Sequence, residues 1–124
     1  MPKVVLCRAL HPTAMAMLAA RPDIELKVLT TEFRGPPLQK ELAANIADAD
    51  AIMVGLEKVQ ADLLATAPKL RVVSRFGVGF DTLDIPECSR RGVTVGVVNG
   101  ANDLSVAEHA MMLMLATSRQ LVKQ

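Results

Sequence analysis

The fold is decided by residues 51–98, which read AIMVGLEKVQADLLATAPKLRVVSRFGVGFDTLDIPECSRRGVTVGVV. Three short apolar runs alternate there with two segments of helical periodicity. Strands separated by helices indicate a parallel sheet with right-handed crossovers. The pattern predicts strands at 51–55, 70–74 and 93–98, a short helix over 86–91, and a helix that ends at Pro68 with Ala61, Leu64 and Ala65 facing inward.

The residues before this stretch continue the alternation. Val4–Cys7 is a short apolar strand, and the helix over 14–20 that follows it has Thr13 as its predicted N-cap. Apolar and charged residues then alternate over 24–28, which is typical of a half-exposed strand at a sheet edge. A second helix opens at Gly35 and carries its apolar side chains on one face: Leu38, Leu42, Ile46 and Ala49.

The predicted fold class is therefore α/β, a flavodoxin-like open parallel sheet with helices on both faces, followed by one long helix. Ligands of such sheets bind beyond the carboxyl ends of the strands, at the point where the strand order reverses. The loops in which a site is expected follow Cys7, Val54, Ser74 and Val98.

The segment 101–124 differs in kind from the rest of the chain. Ser105 and Glu108 have the spacing of a capping box, and a helical pattern runs from there towards Lys123. Residues 110–116 are apolar around nearly two turns, and a helix that is apolar on every side is normally covered on every side. Burial in the chain's own core is one explanation, and cover from outside this chain is the one we favour.

The composition limits the function classes. The 124 residues have a formal charge of +1 and are 51% hydrophobic, which favours one compact domain without a nucleic-acid stripe. The longest apolar run is far shorter than the roughly 20 residues that span a bilayer, so no membrane partner is expected. Cys7 and Cys88 are far apart and show no metal-ligand spacing, which indicates a reducing, cytoplasmic setting and no metal site.

A glycine-rich turn, Arg75–Asp81, directly follows a predicted buried strand. Successive backbone amides in such a turn form a concavity that suits a carboxylate, and Arg75 could bind one in a bidentate way. A plain strand-to-helix turn with a solvated arginine is the alternative. The turn is not GxGxxG, and that dinucleotide fingerprint occurs nowhere in the sequence. Neither His11 nor His109 has a visible acid or nucleophile partner, so no catalytic residue is assigned.

Three motifs in order, RFGVGFDTLD at 75–84, RGVTV at 91–95 and GAN with SVAEH at 100–109, resemble the D-isomer-specific 2-hydroxyacid dehydrogenases, the family of phosphoglycerate, glycerate and formate dehydrogenases. The resemblance covers the whole chain, and its second half is the diagnostic part. It implies that residues 1–100 form a substrate-binding domain. It also implies that residues 101–124 form a hinge helix leading to an NAD-binding Rossmann domain that this sequence lacks.

Carried onto this sequence, the family's substrate loop falls on Phe76, Gly77, Val78 and Gly79, with the amides of Val78 and Gly79 holding the substrate carboxylate. Asn102 would line the cleft near the substrate, and Val106 would lie against the nicotinamide. One departure is that Val97-Val98-Asn99 stand where the family often has Asn-Thr-Pro. The resemblance further implies a homodimer through the hinge helix.

The family's catalytic arginine, glutamate and histidine come after the hinge helix, beyond Gln124. The expected function is therefore that of a substrate-binding fragment of an NAD- or NADP-dependent oxidoreductase acting on the CH-OH group of small 2-hydroxy acids, inactive and without cofactor on its own. The alternative is a non-enzymatic module that binds small carboxylates or other proteins.

Overall fold

The computed structural model describes residues 1–29 and 35–123. Five parallel strands form one sheet, in the order β2-β1-β3-β4-β5. The strands are β1 (Lys3–Leu6), β2 (Glu25–Val28), β3 (Ala51–Val54), β4 (Val72–Arg75) and β5 (Thr94–Gly96). The helices are α1 (Pro12–Ala19), α2 (Pro36–Asn45), α3 (Ala61–Ala65), α4 (Ile85–Arg90) and α5 (Asp103–Ser118), and a 3₁₀ turn follows at Leu121–Lys123.

This order confirms the predicted α/β class with a parallel sheet, and β2 is the edge strand that the alternation at 24–28 predicted. Strand order reverses between β1 and β3, which are neighbours although β2 separates them in sequence. With right-handed crossovers, that reversal places α1 on one face of the sheet and α2, α3 and α4 on the other.

The main core lies on the face of the sheet that α2, α3 and α4 cover. Val5, Ile52 and Val73 occupy one row across the three central strands and are at most 1% exposed. The four apolar residues predicted to lie on one face of the second helix are all buried: Leu38, Leu42, Ile46 and Ala49. The opposite face is less covered, because α1 buries none of its residues and Val72 of β4 is 40% exposed.

Several predicted boundaries were wrong. Helix α1 begins at Pro12, and its N-cap is His11, whose Nδ1 accepts a hydrogen bond from the Thr13 amide at 3.3 Å. In α3 the inward residues are Leu63 and Leu64, because Ala61 and Ala65 lie on the exposed side. Strand β4 extends to Arg75, which the prediction had placed in the loop.

Helix α5 begins two residues before the predicted capping box, at Asp103, and ends at Ser118 rather than near Lys123. Gln120 has a φ of 51°, a left-handed conformation that ends the helical path. Residue 124, the last of the predicted hinge helix, lies outside the described residues. No residue of α5 is buried, which excludes the explanation that this helix is part of the domain's own core.

Candidate functional site

The loops after β1, β3 and β4 meet at one edge of the sheet, because the carboxyl ends of parallel strands point the same way. They contribute Arg8, the segment Gly55–Glu57 and the segment Phe76–Gly79. Since the strand order reverses between β1 and β3, this edge is where an open α/β sheet forms a ligand crevice. The predicted glycine-rich turn therefore lies at the edge of the sheet where a ligand site was expected.

The start of the turn after β4 is held by backbone hydrogen bonds. The Phe76 amide donates to Val54 O at 2.7 Å, and the Gly77 amide donates to Arg75 O at 3.0 Å. Gly77 O in turn accepts a hydrogen bond from the Val98 amide at 3.0 Å, which joins the turn to the segment after β5. Gly77 has a φ of 148°, a conformation that side chains disfavour and glycine allows.

The next five amides, those of residues 78–82, donate to none of the described residues, and those of Val78 and Gly79 are the first two. Val78 is 43% exposed, so the surface of this turn is open to solvent. Two adjacent N–H groups without a protein acceptor are a suitable place for an anionic oxygen. Phe76, Gly77, Val78 and Gly79 thus lie in one turn at the carboxyl edge of the sheet, and their contact with a substrate carboxylate stays a prediction.

Arg75 lies beside this turn but is enclosed rather than solvated. It pairs with Val54 in the sheet register, on the core face, and is 8% exposed. Its Nε donates to Gly55 O at 2.8 Å, and its Nη1 donates to Gly79 O. The alternative of a plain turn with a solvated arginine is therefore wrong in its second part. A direct contact of Arg75 with substrate remains a prediction.

Two residues at this edge were missed by sequence reasoning. The Glu57 carboxylate accepts a hydrogen bond from the Gly55 amide, and the Arg8 guanidinium lies 5.0 Å from the centroid of the Phe76 ring. Both missed residues, Arg8 and Glu57, follow strands whose loops were predicted as site loops, and that position was the only signal.

Burial, and next the charge of Glu57, raise the pKa of the Cys7 thiol far above its usual range, so this thiol is a core group rather than a nucleophile.

Asn102 and Val106 lie at the start of α5. Asn102 is the N-cap residue of α5, and its side chain makes no capping hydrogen bond. Val106, one turn later, is 57% exposed. Among residues 1–29 and 35–123, no hydrogen bond or ion pair joins either of them to Phe76–Gly79, so their cleft roles remain predictions.

A groove of about 900 Å³ lies between α2 and α3, lined by Gln39, Leu56, Glu57 and Leu63 among others. It shares Leu56 and Glu57 with the carboxyl edge and contains no residue of the glycine turn. In the part of the chain that the structure describes, no three His, Cys, Asp or Glu side chains cluster as a metal site would require. No helix of that part is long and apolar enough to cross a membrane.

Comparison with known proteins gives consistent matches. Residues 4–122 match the model of the D-isomer specific 2-hydroxyacid dehydrogenase catalytic domain. A glyoxylate reductase of Thermofilum pendens is 37% identical over 98% of this chain and 35% of its own length. A D-3-phosphoglycerate dehydrogenase of Mycobacterium bovis is 38% identical over 98% of this chain and 22% of its own length.

The fold has the same relatives. The crystal structure of the TT0316 protein from Thermus thermophilus superimposes with a TM-score of 0.85 at 25% identity, covering 98% of this chain and 38% of that one. This chain thus spans between about a fifth and two fifths of the length of these three relatives.

Proposed function

This chain belongs to the D-isomer-specific 2-hydroxyacid dehydrogenase family, and we propose that residues 1–100 form the substrate-binding domain of an NAD- or NADP-dependent oxidoreductase and residues 101–124 its hinge helix. The substrate class is a small 2-hydroxy or 2-keto acid, and the reaction is at its CH-OH group. The observation that carries this proposal is that the Val78 and Gly79 amides, the first of five consecutive amides without an acceptor among the described residues, lie at the carboxyl edge of the sheet.

The turn binds the carboxylate that all these substrates share. The two amides donate to its oxygens, and Phe76, which is 55% exposed, provides an apolar surface beside it. In our proposal Asn102 faces the same cleft from the start of α5. Fixing the carboxylate at one end sets the position of the neighbouring carbon, which is where the reaction of this family takes place.

We propose that the described residues form no dinucleotide site of their own. No strand is followed by the GxGxxG turn that holds a pyrophosphate, and Val106, which is 57% exposed, is the one residue that we place beside the nicotinamide. We therefore assign the residues of this chain to substrate binding and derive no hydride step from them. The cofactor site belongs, in our proposal, to residues outside these 124.

Helix α5 supports the association part of the proposal. Met111–Leu115 are all between 50% and 62% exposed, and exposed apolar surface of this extent is typical of an interface. We propose that this apolar surface of α5 forms part of a homodimer contact. Light scattering of Met112→Lys tests this: we expect the wild-type chain to self-associate and the variant to be smaller, whereas a monomeric wild type would contradict a dimer through α5.

We also propose a reducing, cytoplasmic setting. Cys7 and Cys88 are both buried and free, as expected of cysteines that serve as small core residues. A non-enzymatic carboxylate-binding or protein-interaction module remains the second candidate, because the same two features, open amides and an exposed apolar helix, would serve it.

The main test is a titration of the ¹⁵N-labelled chain with glyoxylate, followed by NMR. We expect the Val78 and Gly79 amide signals to shift saturably, because their N–H groups become hydrogen-bonded to the carboxylate. Glycolaldehyde, which is of similar size and has no carboxylate, is the matched control and should leave them in place. Equal shifts with both compounds, or shifts confined to another part of the chain, would contradict the proposed site.

A titration of NADH with the unlabelled chain completes the test. The sequence has no tryptophan, so cofactor emission can be followed without interference. We expect no binding by this chain, and saturable binding would show that a nucleotide site exists without the glycine fingerprint.

A further inference from the structure

Arg75 has an unusual position for a charged side chain. It is the one buried charged residue among the described residues, and it ends β4 on the face of the sheet where Val54 and Val73 pack into the core. Burying a guanidinium is costly unless hydrogen bonds compensate for the lost water. The hydrogen-bond partners of the Arg75 guanidinium should therefore indicate its role.

Its hydrogen bonds connect two different loops. Nε donates to the carbonyl of Gly55, directly after β3, and Nη1 donates to the carbonyl of Gly79, in the turn after β4. Those two loops are otherwise joined further along, where the Val59 amide donates to Thr82 O at 2.9 Å. Arg75 thus supplies the link nearest to the unused amides. A planar guanidinium can serve two acceptors at once in fixed directions, which an ammonium group does poorly.

No carboxylate balances this charge within 4.0 Å in the described part of the chain. The Asp81 carboxylate lies beyond that distance but near Gly79: a Cβ added to Gly79 would meet Asp81 Oδ2 at 3.5 Å and Arg75 Nη1 at 3.6 Å. Because Nε and Nη1 already donate to the carbonyls of Gly55 and Gly79, the Arg75 guanidinium supports the turn.

We propose that Arg75 is a positioning residue: by bridging Gly55 O and Gly79 O it fixes the turn so that the Val78 and Gly79 amides converge on the substrate carboxylate. This differs from the direct contact predicted from the sequence. It rests on the proposed function for the identity of the ligand, but the fixing of the turn can be tested without a ligand.

The ligand-free test compares Arg75→Met and Arg75→Lys with the wild-type chain by amide hydrogen exchange and ¹⁵N NMR. In Arg75→Met we expect faster exchange and moved signals at Val78 and Gly79, because the Gly79 carbonyl loses its donor. Arg75→Lys keeps the charge and at most part of the bridge, so the exchange rates of these two amides should lie between those of the wild type and of Arg75→Met. Arg71→Met, which removes an exposed arginine directly before the opposite end of β4, is the matched control and should leave both signals unchanged.

The second test measures the glyoxylate dissociation constant of the same variants. We expect Arg75→Met to bind about tenfold more weakly or worse, and Arg75→Lys about threefold more weakly, which is the size of effect typical of charge-assisted contacts. Leu42→Ala destabilises the core without touching the turn, so it should keep the wild-type affinity. That comparison separates positioning from a general loss of stability.

The outcomes distinguish the two proposals. Wild-type signals and wild-type affinity in Arg75→Met, or equal weakening by Arg71→Met and Leu42→Ala, would overturn the positioning role. If the wild-type chain does not bind glyoxylate, the proposed function fails, and the hydrogen-exchange comparison still decides whether Arg75 fixes the turn. Should Arg75→Met fail to fold, Arg75→Lys provides the same comparison.

Discussion

Helices α2 and α5 are the two longest helices of the described chain, and their apolar residues have opposite environments. Leu38 and Leu42 of α2 are at most 4% exposed, whereas the residues of Met111–Leu115 in α5 are all at least half exposed. Helix α2 has one apolar stripe, and the sheet covers it. Helix α5 is apolar around its circumference, so no single surface of this domain could cover it.

The difference shows that a hydrophobic pattern predicts a face that is covered, but does not show whether the covering surface belongs to the same domain. In α2 the covering surface belongs to the same domain, so its apolar residues contribute to the free energy of folding. In α5 they are exposed, so they contribute little to the folding of this domain, and in our proposal they contribute to the free energy of association. Substitutions in the two helices should therefore change different measured quantities.

The largest effect is expected from Leu42→Ala. Leu42 is fully buried in the core, so the truncation leaves a cavity and should lower the free energy of unfolding by about 2–5 kcal/mol. Urea unfolding followed by circular dichroism measures the change. A loss below about 0.5 kcal/mol, the range of ordinary surface substitutions, would contradict the core assignment of α2.

The matched change in α5 is Leu113→Ala, the same truncation at a residue that is 50% exposed. Measured on dilute protein, it should change the free energy of unfolding by no more than about 0.5 kcal/mol. A loss as large as that of Leu42→Ala would mean that α5 is packed within the folded chain, and the contrast between the two helices would disappear.

The same contrast explains what could be predicted from the sequence. The alternation of strands and helices, the edge strand and the buried face of α2 follow from local hydrophobic patterns, because each pattern is satisfied inside the domain. The environment of Arg75 could not be predicted in this way. Its partners, Gly55 O and Gly79 O, are brought near only once β3 and β4 are neighbours, and an arginine after an apolar run is typical of a loop.

Arg8 and Glu57 were missed for the same reason. Their contacts with Phe76 and with the Gly55 amide depend on the packing of three loops, whereas each residue alone is an unremarkable surface charge. That the loops after β1, β3 and β4 lie together at the carboxyl edge was predictable from the fold class. The particular side chains that complete it were not.

A smaller effect is expected from Gly77→Ala, which tests the turn rather than either helix. An added Cβ would meet only Arg75 Nη2, at 3.9 Å, so the cost comes from the backbone φ of 148°. Holding a side-chain residue in that conformation costs about 1–3 kcal/mol. We expect a loss of stability in that range or a rearranged turn with weaker glyoxylate binding.

The control for this change is Gly96→Ala in β5. Gly96 has an ordinary φ, and its added Cβ would meet open space, so the variant should be as stable as the wild type. Equal losses at both glycines would show that the conformation of Gly77 is not what makes alanine unfavourable there.

The smallest effect is expected at the solvent edge of α4, within the well-packed half of the molecule. Hydrogen bonds from Arg90 and then Arg91 lower the pKa of Glu87 to about 2, and Arg91 also donates to Leu64 O at 2.9 Å, which joins α4 to the end of α3. Because the folded pKa lies below the ordinary value of 4.5, the ionised carboxylate stabilises the fold at higher pH. That contribution should be lost as the pH falls from about 4.5 towards about 2.

Urea unfolding of the wild type and of Glu87→Gln across this pH range isolates the contribution. Asp23, whose pKa Arg21 also lowers to about 2, titrates in both proteins and cancels in the difference. We expect the wild type to be more stable than the variant at neutral pH and the two to converge in acid, by a small amount because the arginines are partly solvated. A difference that does not change with pH would mean that Glu87 contributes through its packing and neutral hydrogen bonds, and that its charge adds nothing to the junction of α3 and α4.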